Sequence, residues 1–219
     1  MHPEILYPRL QKHAVIPVMA VESIADALPL ADALIEGGLP VAEITFRTAA
    51  AADVIAKLKK ERPQLLLGAG TILTLENLRK AQACGAHFGV EPVLSPHIVR
   101  EAGKFDMPFI PGVMTPRDIE EALSLGISVL KFFPAEASGG VNMIKALTAP
   151  SAHMGIKLMP TGGINLTNLE AYLSLAGVLM VGGTWIAKKE DIAAHRWDVI
   201  KANCHEVVKR IAQIPANQD

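Results

Sequence analysis

The segment VAEITFRT, residues 41–48, carries the reading that decides the fold. Strand alternation places Glu43, Thr45 and Arg47 on one face and Ile44 and Phe46 on the other. On a single antiparallel strand, such a polar face would simply meet water. In a central parallel strand both faces are covered. The apolar face then packs on helices and the polar face points into a protected interior. A second segment, SVLKFFPAEASGG at 128–140, poses the same problem in sharper form. Its alternation puts Val129, Lys131 and Phe133 on one face, and a lysine is among the residues least often found inside a protein.

The rest of the chain decides between these alternatives. Apolar, β-branched or leucine-rich runs recur at 14–19, 41–46, 65–70, 86–90, 108–113, 128–133, 156–161 and 178–183. Helical patterns lie between them. SIADALPLADALIEGG, residues 23–38, puts Ile24, Ala27, Leu28, Ala31, Leu34 and Ile35 on one face and ends on Gly37 and Gly38. Pro29 inside it implies a kink or a late helix start. Thr74 caps LENLRKAQACG, and Thr115 with Pro116 heads RDIEEALSLG. Strands that alternate with helices throughout form a parallel sheet, and eight such units close into a (β/α)8 TIM barrel. An open doubly wound sheet is the alternative, but PVMAVES after the first strand lacks G-x-G-x-x-G. With no Ser- or Gly-rich linker, residues 1–219 read as one α/β barrel domain, with N-terminal and C-terminal helical segments packing on it.

Composition narrows the function. Lys and Arg number 21 against 22 Asp and Glu, so no basic field is present to hold a nucleic acid. No apolar run reaches the roughly 18–20 residues of a membrane span. The opening MHPEILYPRLQKH lacks the apolar core of a signal peptide, and Cys84 and Cys204 form no C-x-x-C pair. These features point to the cytoplasm. The seven histidines show neither H-x-H nor H-E-x-x-H spacing, so no metal or other cofactor is expected.

Active sites of such barrels lie at the C-terminal ends of the strands. There the third strand ends GAGT, bringing Thr71 to the mouth; the sixth supplies Lys131. The seventh and eighth end in paired glycines, Gly162–Gly163 in PTGGI and Gly182–Gly183 in VGGTW, where barrels commonly bind phosphate through backbone N–H groups. An amine, a carboxylate, a guanidinium, a hydroxyl and a phosphate cradle suit attack on a carbonyl. Lowering a lysine pKa by three units requires about 4 kcal/mol of bias against the ammonium. An apolar strand interior and a neighbouring cation such as Arg47 could supply it, while Glu43 would oppose it. A structural Lys131–Glu43 ion pair is the competing reading of the same residues.

KFFPAEASGG at 131–140 resembles the Schiff-base segment of the 2-keto-3-deoxy-6-phosphogluconate (KDPG) and 4-hydroxy-2-oxoglutarate (KHG) aldolases. EITFRT, GAGT, IPGVMTP, PTGGI and GGTW resemble that family in order and spacing, from about Val15 to Trp185. The resemblance implies a class I aldolase, an aldehyde-lyase that cleaves KDPG to pyruvate and glyceraldehyde 3-phosphate. It implies that Lys131 forms the imine, that Glu43 is general acid–base, and that Arg47 and Thr71 hold the pyruvate carboxylate. Thr161 would sit beside the substrate hydroxyls, and Gly162, Gly163, Gly182, Gly183 and Thr184 would hold the phosphate. It also implies a homotrimer. One departure is Glu91 and Val93 in GVEPVLSP, where the family usually has serine and glycine. A carboxylate at the rim of an anion site repels a second anion by roughly 1 kcal/mol at 4 Å even in bulk water. That bears on the choice of aldehyde.

Within the same chemistry, KHG cleavage or oxaloacetate decarboxylation needs only Lys131 and the carboxylate site. A phosphosugar isomerase or epimerase would be a different class, and its metal-dependent forms need histidine and aspartate ligands at strand ends. A non-catalytic phosphosugar-binding barrel has little use for an interior lysine.

Overall fold

A computed structural model describes residues 2–214; Met1 and residues 215–219 of the expected 1–219 domain lie outside the described residues. The strands are β1 (Val15–Met19), β2 (Val41–Thr45), β3 (Leu66–Gly70), β4 (Phe88–Val90), β5 (Phe109–Ile110), β6 (Gly112–Val113), β7 (Val129–Phe132), β8 (Lys157–Pro160) and β9 (Val181–Gly183). All pairings are parallel, in the orders β9-β1-β2-β3-β4-β5 and β6-β7-β8. β5 and β6 are one barrel strand interrupted at Pro111, which has no N–H to give to a ladder. Parallel bridges from Leu158 to Val178 and from Thr161 to Gly182 join β8 to the last strand and close the ring. The eight strands read from the sequence are therefore present in a (β/α)8 barrel. The last one is shorter than its apolar run.

The helices are α1 (Pro3–His13), α2 (Ala27–Glu36), α3 (Ala51–Glu61), α4 (Leu75–Ala83), α5 (Pro96–Lys104), α6 (Pro116–Ser124), α7 (Gly140–Thr148), α8 (Leu169–Leu173), α9 (Lys189–Ala193) and α10 (Trp197–Ile211). Local chemistry starts several of them. The Thr115 side chain accepts from Asp118 N–H while the Asp118 carboxylate accepts from Thr115 N–H, a capping box with Pro116 beside it. Thr74 caps α4 by accepting from Asn77 N–H. Pro29 resolves as a late start: α2 begins at Ala27, so the proline sits in a first turn whose N–H groups have no intrahelical partner anyway. Ile24 consequently leaves the expected buried face for a 3-10 turn, where it is 45% exposed, and Leu30 and Ala33 are buried instead.

Strand residues sort by parity into two apolar clusters. Val15, Ala42, Ile44, Leu67, Leu130 and Phe132 face the helices, whereas Ile16, Val41, Leu66, Phe88, Val90, Ile110, Val129 and Met159 fill the barrel. α1 adds Leu6 and Leu10 to the inner cluster, closing the end of the barrel opposite the strand C-termini. Gly68 is needed there because a Cβ would strike the Phe88 ring. Among the described residues no helix is long and apolar enough to cross a membrane.

Candidate active site

Two strands bring the decisive pair together. β2 carries Glu43 and β7 carries Lys131, each on the inward face one step above the apolar filling. Lys131 Nζ donates to Glu43 Oε1 at 3.4 Å; the residues are 5% and 0% exposed. That separation exceeds the roughly 2.7–2.9 Å of a tight charge-assisted contact, so the amine is held near the carboxylate without being locked to it. The Phe133 ring lies 5.5 Å from Nζ and walls the mouth beside it. Glu43 Oε2 is buried with no hydrogen-bond partner within the described chain. Such an acceptor is costly in a finished core, and a reacting group can satisfy it. Gly70 makes the carboxylate's place, since a Cβ there would run into Glu43 Oε1.

Arg47 departs from its sequence reading. β2 ends at Thr45, and Arg47 lies two residues beyond it, in a turn, exposed rather than on the strand's inner face. Its Nε donates to Thr45 Oγ1 at 3.2 Å, and Thr45 in turn donates to the Met19 carbonyl at 3.0 Å. Thr45 thus returns the guanidinium to the mouth by a hydrogen bond where alternation no longer could. The interior amine pairs with the Glu43 carboxylate, and the Arg47 guanidinium is hydrogen-bonded to Thr45 rather than set beside Lys131 as expected. Arg47 instead shares a cavity of about 330 Å3 with Thr184, Glu22 and Lys189.

Thr71 follows β3 with φ 58°, a left-handed conformation that β-branched residues seldom adopt. Strain of this kind concentrates where a side chain or amide must be aimed. Thr161 is 2% exposed at the end of β8, and Gly182 opposite it is bare because a Cβ would collide with the Thr161 side chain. Gly183 packs against the Trp185 ring. Gly162 and Gly163 have φ of 102° and 81°, so this turn needs glycine for its backbone alone.

Glu136 and Tyr172 fasten that turn to the lysine strand, a tie the sequence reading missed. Glu136 N–H donates to the Gly162 carbonyl at 3.0 Å, and the wholly buried Tyr172 donates its hydroxyl to the Glu136 carboxylate. Asn168 adds a bond to the Gly163 carbonyl at 3.2 Å. The EASGG run contains Glu136 in plain view, but Tyr172 lies 36 residues away with no local signal to couple them.

Glu91 is not a rim carboxylate. It is 0% exposed, its Oε1 accepts from Ser95 N–H at 2.8 Å, and its Oε2 has no partner within the described chain. The bond from Ser95 ties the carboxylate to the 91–95 loop just past the end of β4. Burial raises its pKa from 4.5 to about 7. The substitution therefore acts on loop anchoring, whereas Val93, half exposed, remains at the surface. His87 is likewise structural: Nδ1 accepts from Leu67 N–H, and burial lowers its pKa to about 4. Among the described residues no group of three His, Cys, Asp or Glu could hold a metal ion.

Known proteins resemble this chain in sequence and fold. The model of the family described as "Aldolase: KDPG and KHG aldolase" matches residues 6–203. A 2-dehydro-3-deoxy-phosphogluconate aldolase of Haemophilus influenzae is 48% identical over 200 residues, covering 91% of this chain and 93% of that one. The crystal structure of the KDPG aldolase from Legionella pneumophila, with pyruvate captured at low pH as a covalent carbinolamine intermediate, superposes with a TM-score of 0.85 at 40% identity. That match covers 89% of this chain and 93% of the other. The Zymomonas mobilis ZM4 KDPG aldolase with 3-phosphoglycerate gives 0.82 at 38% identity, covering 92% and 94%. With the family model matching most of its length and relatives of this identity covered almost throughout, the chain belongs to the KDPG and KHG aldolase family.

Proposed function

We propose that this protein is a class I aldolase that cleaves KDPG to pyruvate and glyceraldehyde 3-phosphate through an imine on Lys131. The observation that carries the reading is the buried amine 3.4 Å from a buried carboxylate at the mouth of the barrel. Lys131 Nζ attacks the C2 carbonyl, and loss of water from the carbinolamine leaves an iminium. Removing the proton of the C4 hydroxyl breaks the C3–C4 bond, and the electron pair moves into the enamine as the aldehyde departs. Protonation at C3 and addition of water then release pyruvate and regenerate the amine. Glu43, acting through a water, moves protons in the dehydration and at C3, a role worth about 10²–10⁴ in rate.

Arg47 and Thr71 hold the pyruvate carboxylate, Arg47 by a bidentate contact. Thr161 sits beside the substrate hydroxyls. Gly162, Gly163, Gly182, Gly183 and Thr184 hold the phosphate. The close fits of Gly182 to Thr161 and of Gly183 to Trp185 give those two glycines a packing role as well. The protein works as one barrel domain, on which α1 and α10 pack, and as a homotrimer. Its two free cysteines suit the reducing cytoplasm. Cleavage of KHG or decarboxylation of oxaloacetate by the same imine is the second reading, favoured by the site's dependence on Lys131 and the carboxylate grip alone.

Incubation with pyruvate, borohydride reduction, digestion and mass spectrometry test the proposal. A reduced pyruvate adduct on Lys131 is the expected result. A folded protein that yields no adduct would overturn it.

A further inference from the structure

We propose that Lys189 is the side-chain cation that recognises the substrate's terminal phosphate and favours phosphorylated aldehydes, and that Glu22 is the competing anion that tempers this preference. The inference rests on the aldolase reading above and adds the origin of its preference for a charged aldehyde.

A phosphate monoester carries close to two negative charges near neutral pH. The glycine turns expected to hold it contribute only backbone dipoles, and Thr184 contributes a hydroxyl. A dianion brought out of water calls for a full opposite charge. The cavity of about 330 Å3 that contains Thr184 has two cations in its lining, Arg47 and Lys189. Arg47 is tied through Nε to Thr45 at the end of β2, on the side assigned to the pyruvate carboxylate. Lys189 opens α9, five residues beyond Thr184, and so belongs to the loop that follows the last strand. It is the cation left for the far end of the substrate.

Its present partner is Glu22, in the loop after β1, with Nζ 2.9 Å from Oε1. The two side chains are 66% and 59% exposed. An exposed pair of this kind is held weakly. A doubly charged phosphate at the neighbouring hydroxyl outbids the single carboxylate for the ammonium. A neutral aldehyde offers nothing for which Lys189 would leave Glu22. Lys189 therefore favours phosphorylated over unphosphorylated partners by charge, Glu22 holds that preference below its full extent, and the pyruvate half is left untouched.

Aldol addition to pyruvate provides the test, with glyceraldehyde 3-phosphate and glyceraldehyde compared as acceptors, since they differ only in the phosphate. In Lys189→Ala, the ratio of kcat/KM for the phosphorylated to the unphosphorylated aldehyde should fall roughly tenfold or more, chiefly through KM. Lys189→Arg should restore most of the ratio, and Glu22→Gln should raise it by removing the competing carboxylate. A ratio unchanged in Lys189→Ala, or one not restored by arginine, overturns the proposal while addition by the wild type leaves the aldolase reading standing. A wild type that neither adds pyruvate to either aldehyde nor forms a borohydride adduct removes the aldolase reading and this inference with it.

Discussion

The two ends of the barrel interior are built on opposite rules. At the closed end, Leu6 and Leu10 of α1 join Ile16, Val41, Leu66 and Phe88 in an apolar filling. At the mouth, the same inward positions one step further along β2 and β7 carry Glu43 and Lys131. The filling lowers the free energy of the fold. The mouth raises it, because two ionisable side chains have left water and Glu43 Oε2 has no partner within the described chain. Stability is concentrated at one end and reactivity at the other, and substitutions can separate them.

The largest expected effect is at the mouth. Lys131→Ala should abolish the pyruvate adduct and lower turnover on the order of 10⁴-fold or more, with the far-UV circular dichroism of the barrel retained. Adduct formation elsewhere in that variant would place the chemistry on another amine. Glu43→Gln should slow kcat by about 10²–10⁴ and still allow slow trapping of pyruvate by borohydride. An unchanged kcat would take the acid–base role away from it.

At the closed end the pattern should invert. Leu10→Ala, deep in the filling, should cost about 2–5 kcal/mol in urea unfolding and change the kcat of the folded fraction little. A fall in kcat as large as that of Glu43→Gln would mean that the two ends are not separable.

Glu91 gives the smaller and pH-dependent case. Its carboxyl is held up at about 7 in the folded protein against 4.5 ordinarily, so below 4.5 it is protonated folded or unfolded and burial is free of this penalty. Between those values the unfolded chain releases a proton that the folded chain keeps, and stability drains away as pH rises, by roughly 3 kcal/mol in all above 7. Glu91→Gln keeps an acceptor for Ser95 N–H and cannot ionise. Its melting temperature should gain on the wild type as the pH goes from 5 to 8. An equal gain at both pH values would show that the fold does not raise the pKa of Glu91.

Much of this was legible because it is local. Thr115 with Pro116, Thr74, and the glycines closing α4 and α6 mark helix ends through their own side chains and dihedrals. The inward direction of Glu43 and Lys131 follows from a period of two. The places where the reading failed are those where that period stops. Arg47 lies past the last residue of β2, so counting on from Glu43 no longer tells its direction. Glu91 lies just past β4 and is buried under its own loop, where the sequence alone suggested an exposed rim.

The sequence by itself determined the alternation of strands and helices, the inward faces, the glycine turns at the last two strands and the family's motifs. Tertiary structure alone decided which inward groups meet. Lys131 finds Glu43 across 88 residues, Tyr172 reaches Glu136 across 36, and Thr184 shares a cavity with Arg47, Glu22 and Lys189. The physical reason is that periodicity and capping act within a few residues, whereas these distances follow from strand register and from closing the ring, to which every strand contributes.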